Sequence, residues 1–159
     1  MAKFEPVLLK RIAKDNSDHI DSYIADGGYL GLKKVLKDMA PAQVIDLVKA
    51  SGLRGRGGAG FPTGLKWTFL PKDHPGPIYL CINADESEPC TFNNRVLMEK
   101  DPHQVLEGII LTSYAVGASK TFIYVRYEYG DAYRSMERAV QQAYDKGLLG
   151  KNIQGSYFS

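Results

Sequence analysis

Nineteen residues, SGLRGRGGAGFPTGLKWTF from Ser51 to Phe69, hold six glycines, two arginines, one lysine and three large aromatics. A turn needs one glycine. A run this dense implies a backbone that comes close to something, because each missing Cβ both frees the dihedral angles and clears space. Arg54, Arg56 and Lys66 in and beside the run give that something negative charge, and phosphate is the natural candidate. The run therefore divides the chain into a helical lead-in before it and the sheet and helices of a nucleotide site after it.

With 159 residues the chain suits one domain with a sizeable core, since chains of about 150 residues bury roughly 68–70% of their unfolded surface. A hydrophobic fraction of 44% and a charged fraction of 24% sit close to the averages of globular proteins and point to neither a disordered nor a membrane class. No apolar run approaches the ~18 residues of a spanning helix, and Met1-Ala-Lys-Phe-Glu lacks the apolar centre of a signal peptide, so a cytoplasmic protein without a membrane span is expected. A net charge of +2 is too small for a general nucleic-acid surface. The two cysteines, Cys81 and Cys90, form no CxxC pair and cannot by themselves build a disulfide framework, a zinc site or an iron–sulfur site.

Before the glycine run the spacing is helical: Val7, Leu8 and Ile12; Ile20, Tyr23 and Ile24; Leu30, Leu32, Val35 and Leu36; Val44, Ile45, Leu47 and Val48. Asp26-Gly-Gly separates the second and third groups, and Pro41 suits the first turn of the fourth. After the run, Pro62 onward opens another helix, and Pro77 to Ala84 is a nearly continuous apolar stretch that predicts a buried strand. Asp101 to Gly117 predicts a helix with Asp101 as N-cap, Pro102 at its first position and Gly117 as C-cap. Thr121 to Arg126 predicts a second strand, and Ala132 to Lys146 a last helix closed by Gly147. Strand, helix, strand, helix in that order predicts an α/β fold with a parallel sheet. Residues 1–50 form the helical segment in this reading and 51–159 the α/β unit. The stretch from Leu148 to Ser159 reads as a loop heading for a further strand, which suggests a truncated chain.

Gly55-Arg-Gly57-Gly-Ala-Gly60 matches the G-x-G-x-x-G dinucleotide pattern, but the strand that must precede it is replaced by the helical spacing of Val44 to Ala50. No glycine is followed by Lys-Ser or Lys-Thr, which also removes a P-loop. A glycine loop between two helices remains, able to offer N–H groups to an anion with Arg54, Arg56 and Lys66 beside it. Phe61, Trp67 and Phe69 can all serve as core, Trp67 as readily as it serves a ligand, but Phe61, between Gly60 and Pro62, is poorly placed for burial and suits a flat ligand. Asn83, Asp85, Glu86, Ser87 and Glu88 lie at the carboxyl end of the first strand, where open α/β sheets place ligands. Their carboxylates suit ribose or ribityl hydroxyls and flavin-type N–H groups; a metal site there lacks a nearby histidine and EF-hand spacing. His19, His74 and His103 lie in separate segments without a catalytic constellation, and Cys90 reads as a surface cysteine in a loop.

Taken together, Ser51 to Trp67, Asn83-Ala-Asp-Glu-Ser-Glu-Pro, Asp101-Pro-His with Glu107-Gly, Tyr124-Val-Arg and Gly150-Lys-Asn resemble the NADH-binding flavoprotein family of respiratory complex I, the bacterial F-subunit family, over nearly the whole chain. Subunits of NAD-linked hydrogenases and formate dehydrogenases share these motifs. The resemblance implies an unusual Rossmann-like domain holding FMN, with NADH (the NAD cofactor) stacked against it. Carried over, Gly55, Gly57, Gly58, Gly60, Lys66, Asn83, Asp85, Glu86 and Ser87 face FMN, while Phe61, Phe69 and Glu88 receive NADH; Arg56 and Gly64 complete the cofactor-binding set. The implied reaction passes hydride from nicotinamide C4 to flavin N5 without an acid–base side chain, the protein supplying orientation and electrostatics. It further implies a [2Fe–2S] partner subunit and the iron–sulfur subunits of a complex peripheral to the inner membrane, with quinone as final acceptor.

Two departures stand out. The family carries glycine where this chain has Cys90. It also continues through a Tyr-Ile-Cys-Gly-Glu-Glu segment that completes the flavin site and a four-cysteine segment that binds [4Fe–4S], neither of which lies in these 159 residues. The isolated chain is therefore expected to be inactive. The alternatives are a diaphorase subunit of a hydrogenase or formate dehydrogenase, and a nucleotide-binding or assembly module without turnover.

Overall fold

In the lead-in, three of the four apolar groups fold as helices in a computed structural model that describes residues 5–71, 73 and 75–159; His74 lies outside them. These are α1 (Ile20–Ala25), α2 (Leu30–Asp38) and α3 (Pro41–Ala50), the last begun by Pro41. The first group does not follow. Residues 7–19 form a chain of turns with Asn16 at φ 54°, and Val7 and Leu8 stay exposed, because the polar run from Lys14 to Asp18 supplies no apolar face to continue a helix.

After a five-residue helix α4 (Thr63–Trp67) come β1 (Ile78–Ala84), α5 (Asn93–Lys100), α6 (Pro102–Val116), β2 (Ala118–Val125) and α7 (Gly130–Asp145). The chain is thus α/β, with β1 and β2 parallel and in register from Tyr79 opposite Lys120 to Ala84 opposite Val125. Gly117 closes α6 at φ 69°, as its position predicts. The unanticipated element is α5, whose apolar residues Val96, Leu97 and Met98 are consecutive rather than helically spaced. Its N-terminus is stabilised by Glu86, too far back in the sequence to read as a cap.

Leu32, Val35, Leu36 and Val44 of the lead-in share one core with Leu106, Ile110 and Tyr114 of α6 and Ala143 of α7. Full burial of a residue such as Leu32 contributes roughly 1.5–3 kcal/mol. Polar bonds fix the same joint. The Glu107 carboxylate accepts the Tyr23 hydroxyl at 2.6 Å and the N–H groups of Tyr29 and Leu32 at 2.9 and 3.0 Å. Arg11 lies 3.3 Å from Asp101, whose carboxylate is fully buried. Burial raises the Asp101 carboxyl above its usual range against the lowering pull of Arg11.

His103 is also fully buried, with Nε2 2.9 Å from the Gln142 amide oxygen and Nδ1 2.9 Å from the Tyr29 hydroxyl. The Gln142 oxygen only accepts, so Nε2 carries the proton and Nδ1 receives the Tyr29 O–H. Burial pushes the ring's pKa down, opposed by the Gln142 bond, and keeps it neutral. Below about pH 6.5 the unfolded chain therefore takes up a proton that the folded chain refuses. Stability is expected to fall as pH drops from 7 toward 5, with a limiting slope of about 1.4 kcal/mol per unit for one proton. Thermal melts across that range check this, and His103→Leu should flatten the slope.

The strand β1 is not buried on both faces. Tyr79, Cys81 and Asn83 alternate outward, and Tyr79, Phe122 and Tyr124 are 58%, 48% and 66% exposed. The inner face packs on helices, where Ile123 and Val125 meet Met98 and Met136. The stretch after Leu148 turns through a 3₁₀ segment at Ile153–Gly155, and Phe158 comes back against Tyr114, ring centroids 5.3 Å apart. No helix among the described residues is long and apolar enough to cross a membrane.

Candidate functional site

The glycine run folds as a pinched loop between α3 and α4. Thr63 N–H donates to Leu53 O and Gly55 N–H to Phe61 O, each at 2.9 Å, so the neck is a short antiparallel pair. Arg54 extends across it to the Gly60 carbonyl at 3.1 Å, which makes this arginine a strap on the loop. Arg56 to Gly60 form the tip, and no acceptor among the described residues is bonded to their N–H groups.

The glycines here have different causes. Gly60 sits at φ 71°, in the left-handed region that a side chain strains. A Cβ on Gly64 would lie 2.6 Å from the Lys49 backbone nitrogen, so that glycine lets α4 lie against α3. At Gly57 and Gly58 neither cause applies: φ is not positive and a Cβ would meet nothing within 4 Å. Nothing among the described residues asks for glycine there.

A cleft of about 610 Å³ opens beneath the tip. Gly55, Gly57, Gly58, Gly60, Phe61, Lys66 and Trp67 line one side, and Ile78 to Leu80, Ile82, Thr112 and Val116 the other. Lys66 is exposed and has no carboxylate partner among the described residues, leaving its charge to the cleft. Trp67 does both things its sequence allowed, packing partly on the core and lining the cleft. Phe69 lies outside the lining but leans on Phe61, with ring centroids 5.8 Å apart and planes at 57°. A base sandwiched between them would need the rings about 7 Å apart, twice a van der Waals contact; as they stand they offer outer faces. A second cleft of about 320 Å³, between α6, β2, α7 and the final turn, holds none of the candidate residues.

Asn83, Asp85, Glu86, Ser87 and Glu88 do not line the large cleft. Asn83 is the next-to-last residue of β1 and Asp85 to Glu88 follow its carboxyl end, Asp85 roughly 10 Å along the chain from Ile82 at about 3.3 Å per residue. The two groups suit opposite ends of one elongated ligand. Within the turn, Asn83 Oδ1 accepts Asp85 N–H at 3.0 Å, Asp85 accepts the Ser87 hydroxyl at 2.8 Å, and Glu88 holds Thr91 through its backbone carbonyl.

Glu86 differs from its neighbours. It is buried, and its carboxylate accepts the N–H groups of Asn93, Asn94 and Arg95 at 2.7, 3.0 and 3.2 Å, which begins α5. Burial alone would raise this carboxyl; the three N–H groups outweigh it and hold the pKa below the usual range. The Glu86 side chain thus faces the protein, and of its backbone only the N–H is left for a ligand.

Sequence reasoning assigned no role to Arg126 or Tyr129, which hold the Glu86 carbonyl at 2.9 and 3.2 Å. A signal existed: parallel strands finish at the same end of a sheet, so the residue after Val125 falls beside the residue after Ala84. His19 is an exposed residue before α1, and His103 belongs to the lead-in joint.

Cys90 adopts φ 65°, a glycine-like conformation, and its side chain is exposed. The loop keeps its turn despite the cysteine. Left-handed backbone costs a non-glycine residue roughly 1–2 kcal/mol, partly offset by the greater unfolded-state freedom of glycine. Cys90→Gly is expected to stabilise the fold by about 0.5–1 kcal/mol, which chemical denaturation would read as a raised midpoint at constant slope.

The site fits FMN. Free N–H groups, two unencumbered glycines and Lys66 suit a phosphate, and the polar turn beyond β1 suits the hydroxyls and ring of a flavin. It does not fit a [4Fe–4S] cluster, since Cys81 and Cys90 cannot supply four thiolates and no group of three metal-binding side chains exists among the described residues.

Residues 48–158 match the family model of the Nuo51 FMN-binding domain. The chain is 50% identical over 156 residues to the second F subunit of NADH-quinone oxidoreductase of Rhizobium meliloti (strain 1021), covering 98% of this chain and 37% of that protein. It is 53% identical over 152 residues to the F subunit of NADH-quinone oxidoreductase of Aquifex aeolicus (strain VF5), covering 96% and 35%. Among solved structures, a chain of NAD+-reducing [NiFe]-hydrogenase in the H2-reduced state superposes with a TM-score of 0.69 at 32% identity, over 97% of this chain and 24% of that one. The chain spans little more than a third of the length of these curated relatives.

Proposed function

The chain belongs to the Nuo51 FMN-binding domain family, and from that premise we propose that it forms the FMN-holding, NADH-facing part of an NADH:quinone oxidoreductase flavoprotein. The observation that carries this is the pair Gly57 and Gly58, whose bare backbone faces open space above the cleft with free N–H groups on either side. In this reading residues 1–50 are a supporting helical layer and 51–159 the binding unit. Gly55, Gly57, Gly58, Gly60 and Lys66 hold the phosphate, while Arg56 adds charge at the loop tip. Gly64 supports them by seating α4. Asn83, Asp85 and Ser87, with the Glu86 backbone, receive the ribityl chain and ring. Phe61 and Phe69 offer their outer faces to NADH, and the free Glu88 carboxylate accepts its hydroxyls.

When bound, FMN supplies an acceptor for a hydride and a donor of single electrons. The chain's own residues orient and neutralise. Lys66 and the tip N–H groups balance phosphate charge, and the rings fix the base of the second nucleotide by stacking. No side chain here needs to move a proton. Electrons then leave for iron–sulfur partners, a [2Fe–2S] subunit among them, in a multi-subunit complex whose flavoprotein arm is peripheral to the membrane. The superposition on NAD+-reducing hydrogenase favours a second reading, the diaphorase of a hydrogenase, which the neighbouring genes distinguish.

The test is titration of FMN and NADH into the protein as its own gene encodes it, followed by flavin fluorescence. FMN should bind, and Phe61→Ala and Phe69→Ala should weaken NADH about 5–50-fold while leaving FMN in place, as expected for loss of one aromatic–base stack. Failure of the unaltered protein to bind FMN would defeat the proposal.

A further inference from the structure

The peptide between Glu86 and Ser87 is held more firmly than anything else in the acidic turn. Its carbonyl accepts Arg126 Nη1 at 2.9 Å and the Tyr129 hydroxyl at 3.2 Å. Arg126 is itself fixed: Nε and Nη2 fork onto the Glu128 carboxylate at 2.9 and 3.2 Å, and its guanidinium carbon lies 5.8 Å from the centre of the Tyr129 ring. From the other side the Glu86 carboxylate is tied to three N–H groups of α5. Across a planar trans peptide the N–H points opposite to the C=O. The Ser87 N–H is therefore turned away from Arg126 and Tyr129, and among the described residues no acceptor is bonded to it.

We infer that Arg126 and Tyr129 are positioning residues that aim the Ser87 backbone N–H at an acceptor atom of the bound flavin, with Glu128 keeping Arg126 in register. A guanidinium on the carbonyl also polarises the peptide, which makes its N–H a stronger donor. Neither side chain touches the ligand; both act through one peptide plane, and the Tyr129 hydroxyl also lies 3.4 Å from the Glu86 carboxylate. This rests on the flavin site proposed above.

The experiment compares the unaltered protein with Arg126→Lys, Tyr129→Phe and Glu128→Gln, reading FMN dissociation constant, midpoint potential of bound flavin and melting temperature without ligand. Arg126→Lys keeps the charge but loses the fork, and Tyr129→Phe loses only the hydroxyl. Both are expected to weaken FMN about tenfold, the scale of a lost charge-assisted hydrogen bond. Both should move the flavin potential to more negative values, because a donor to the ring favours its electron-rich form, while the melting temperature stays close to that of the unaltered protein. Glu128→Gln should shift affinity and potential in the same direction by less. Affinity and potential equal to the unaltered protein overturn the inference and leave the flavin site standing. Affinity lost only in step with melting temperature, or without a change in potential, also overturns it, because a purely structural role does the same. No FMN bound by the unaltered protein overturns the flavin site and this inference together.

Discussion

Replacing Glu107 by alanine is expected to cost about 3–5 kcal/mol of stability, because three buried donors lose their acceptor at once. One carboxylate accepts the Tyr23 hydroxyl and the backbone N–H groups of Tyr29 and Leu32. These donors sit on residues 7%, 5% and 0% exposed, so water cannot replace the lost acceptor without opening the joint between the lead-in and α6. Burial, the larger cause of the raised Tyr23 pKa, persists without Glu107, so the Tyr23 hydroxyl cannot compensate by shedding its proton. Glu107→Gln keeps one accepting oxygen and turns an NH₂ toward a donor, an intermediate loss of about 1–2 kcal/mol. Urea unfolding of the three proteins checks the order. A Glu107→Ala protein within about 1 kcal/mol of the unaltered one, an interval below the expected range, would show that the apolar core alone holds the lead-in.

The second large effect separates ligand from fold. Gly57→Val and Gly58→Val are each expected to weaken FMN by a factor of about 100 or more, since a side chain there fills the space a phosphate needs beside the backbone. Melting temperature should barely change, because a Cβ at either position meets nothing within 4 Å. Gly64→Ala provides the contrast. Its Cβ would press on the Lys49 backbone at 2.6 Å, so it should cost about 1–3 kcal/mol by overpacking, with FMN affinity falling only as the α4 seat is lost. Melting and FMN titration on the same three variants would read both quantities. If Gly57→Val and Gly58→Val destabilise the fold as Gly64→Ala does, the tip glycines are structural and the phosphate reading loses its support.

What could be read from the sequence was local. The bounds of α6 followed from Pro102 and Gly117, β1 from the apolar run after Pro77, and the loop from glycine density, because each signal lies within a few residues of what it controls. The turns at residues 7–19 and the helix α5 escaped, one because three apolar residues suggested a stripe the polar run could not continue, the other because its cap comes from Glu86. The bare aromatic face of β1 and β2 escaped too, since an apolar run shows that a strand can be covered and not what covers it.

Residue chemistry therefore determined by itself that a bare, basic backbone loop and an acidic strand end stand in an α/β chain, and that two cysteines cannot carry a cluster. Tertiary structure alone decided how each glycine and carboxylate is used. Gly64 seats a helix while Gly57 and Gly58 face open space; the Glu86 side chain turns inward to begin α5 while its peptide is gripped by Arg126 and Tyr129. The physical reason is distance: burial, clash and hydrogen-bond direction depend on neighbours beyond the reach of a local pattern, from 7 residues away for Glu86 and Asn93 to 43 for Glu86 and Tyr129.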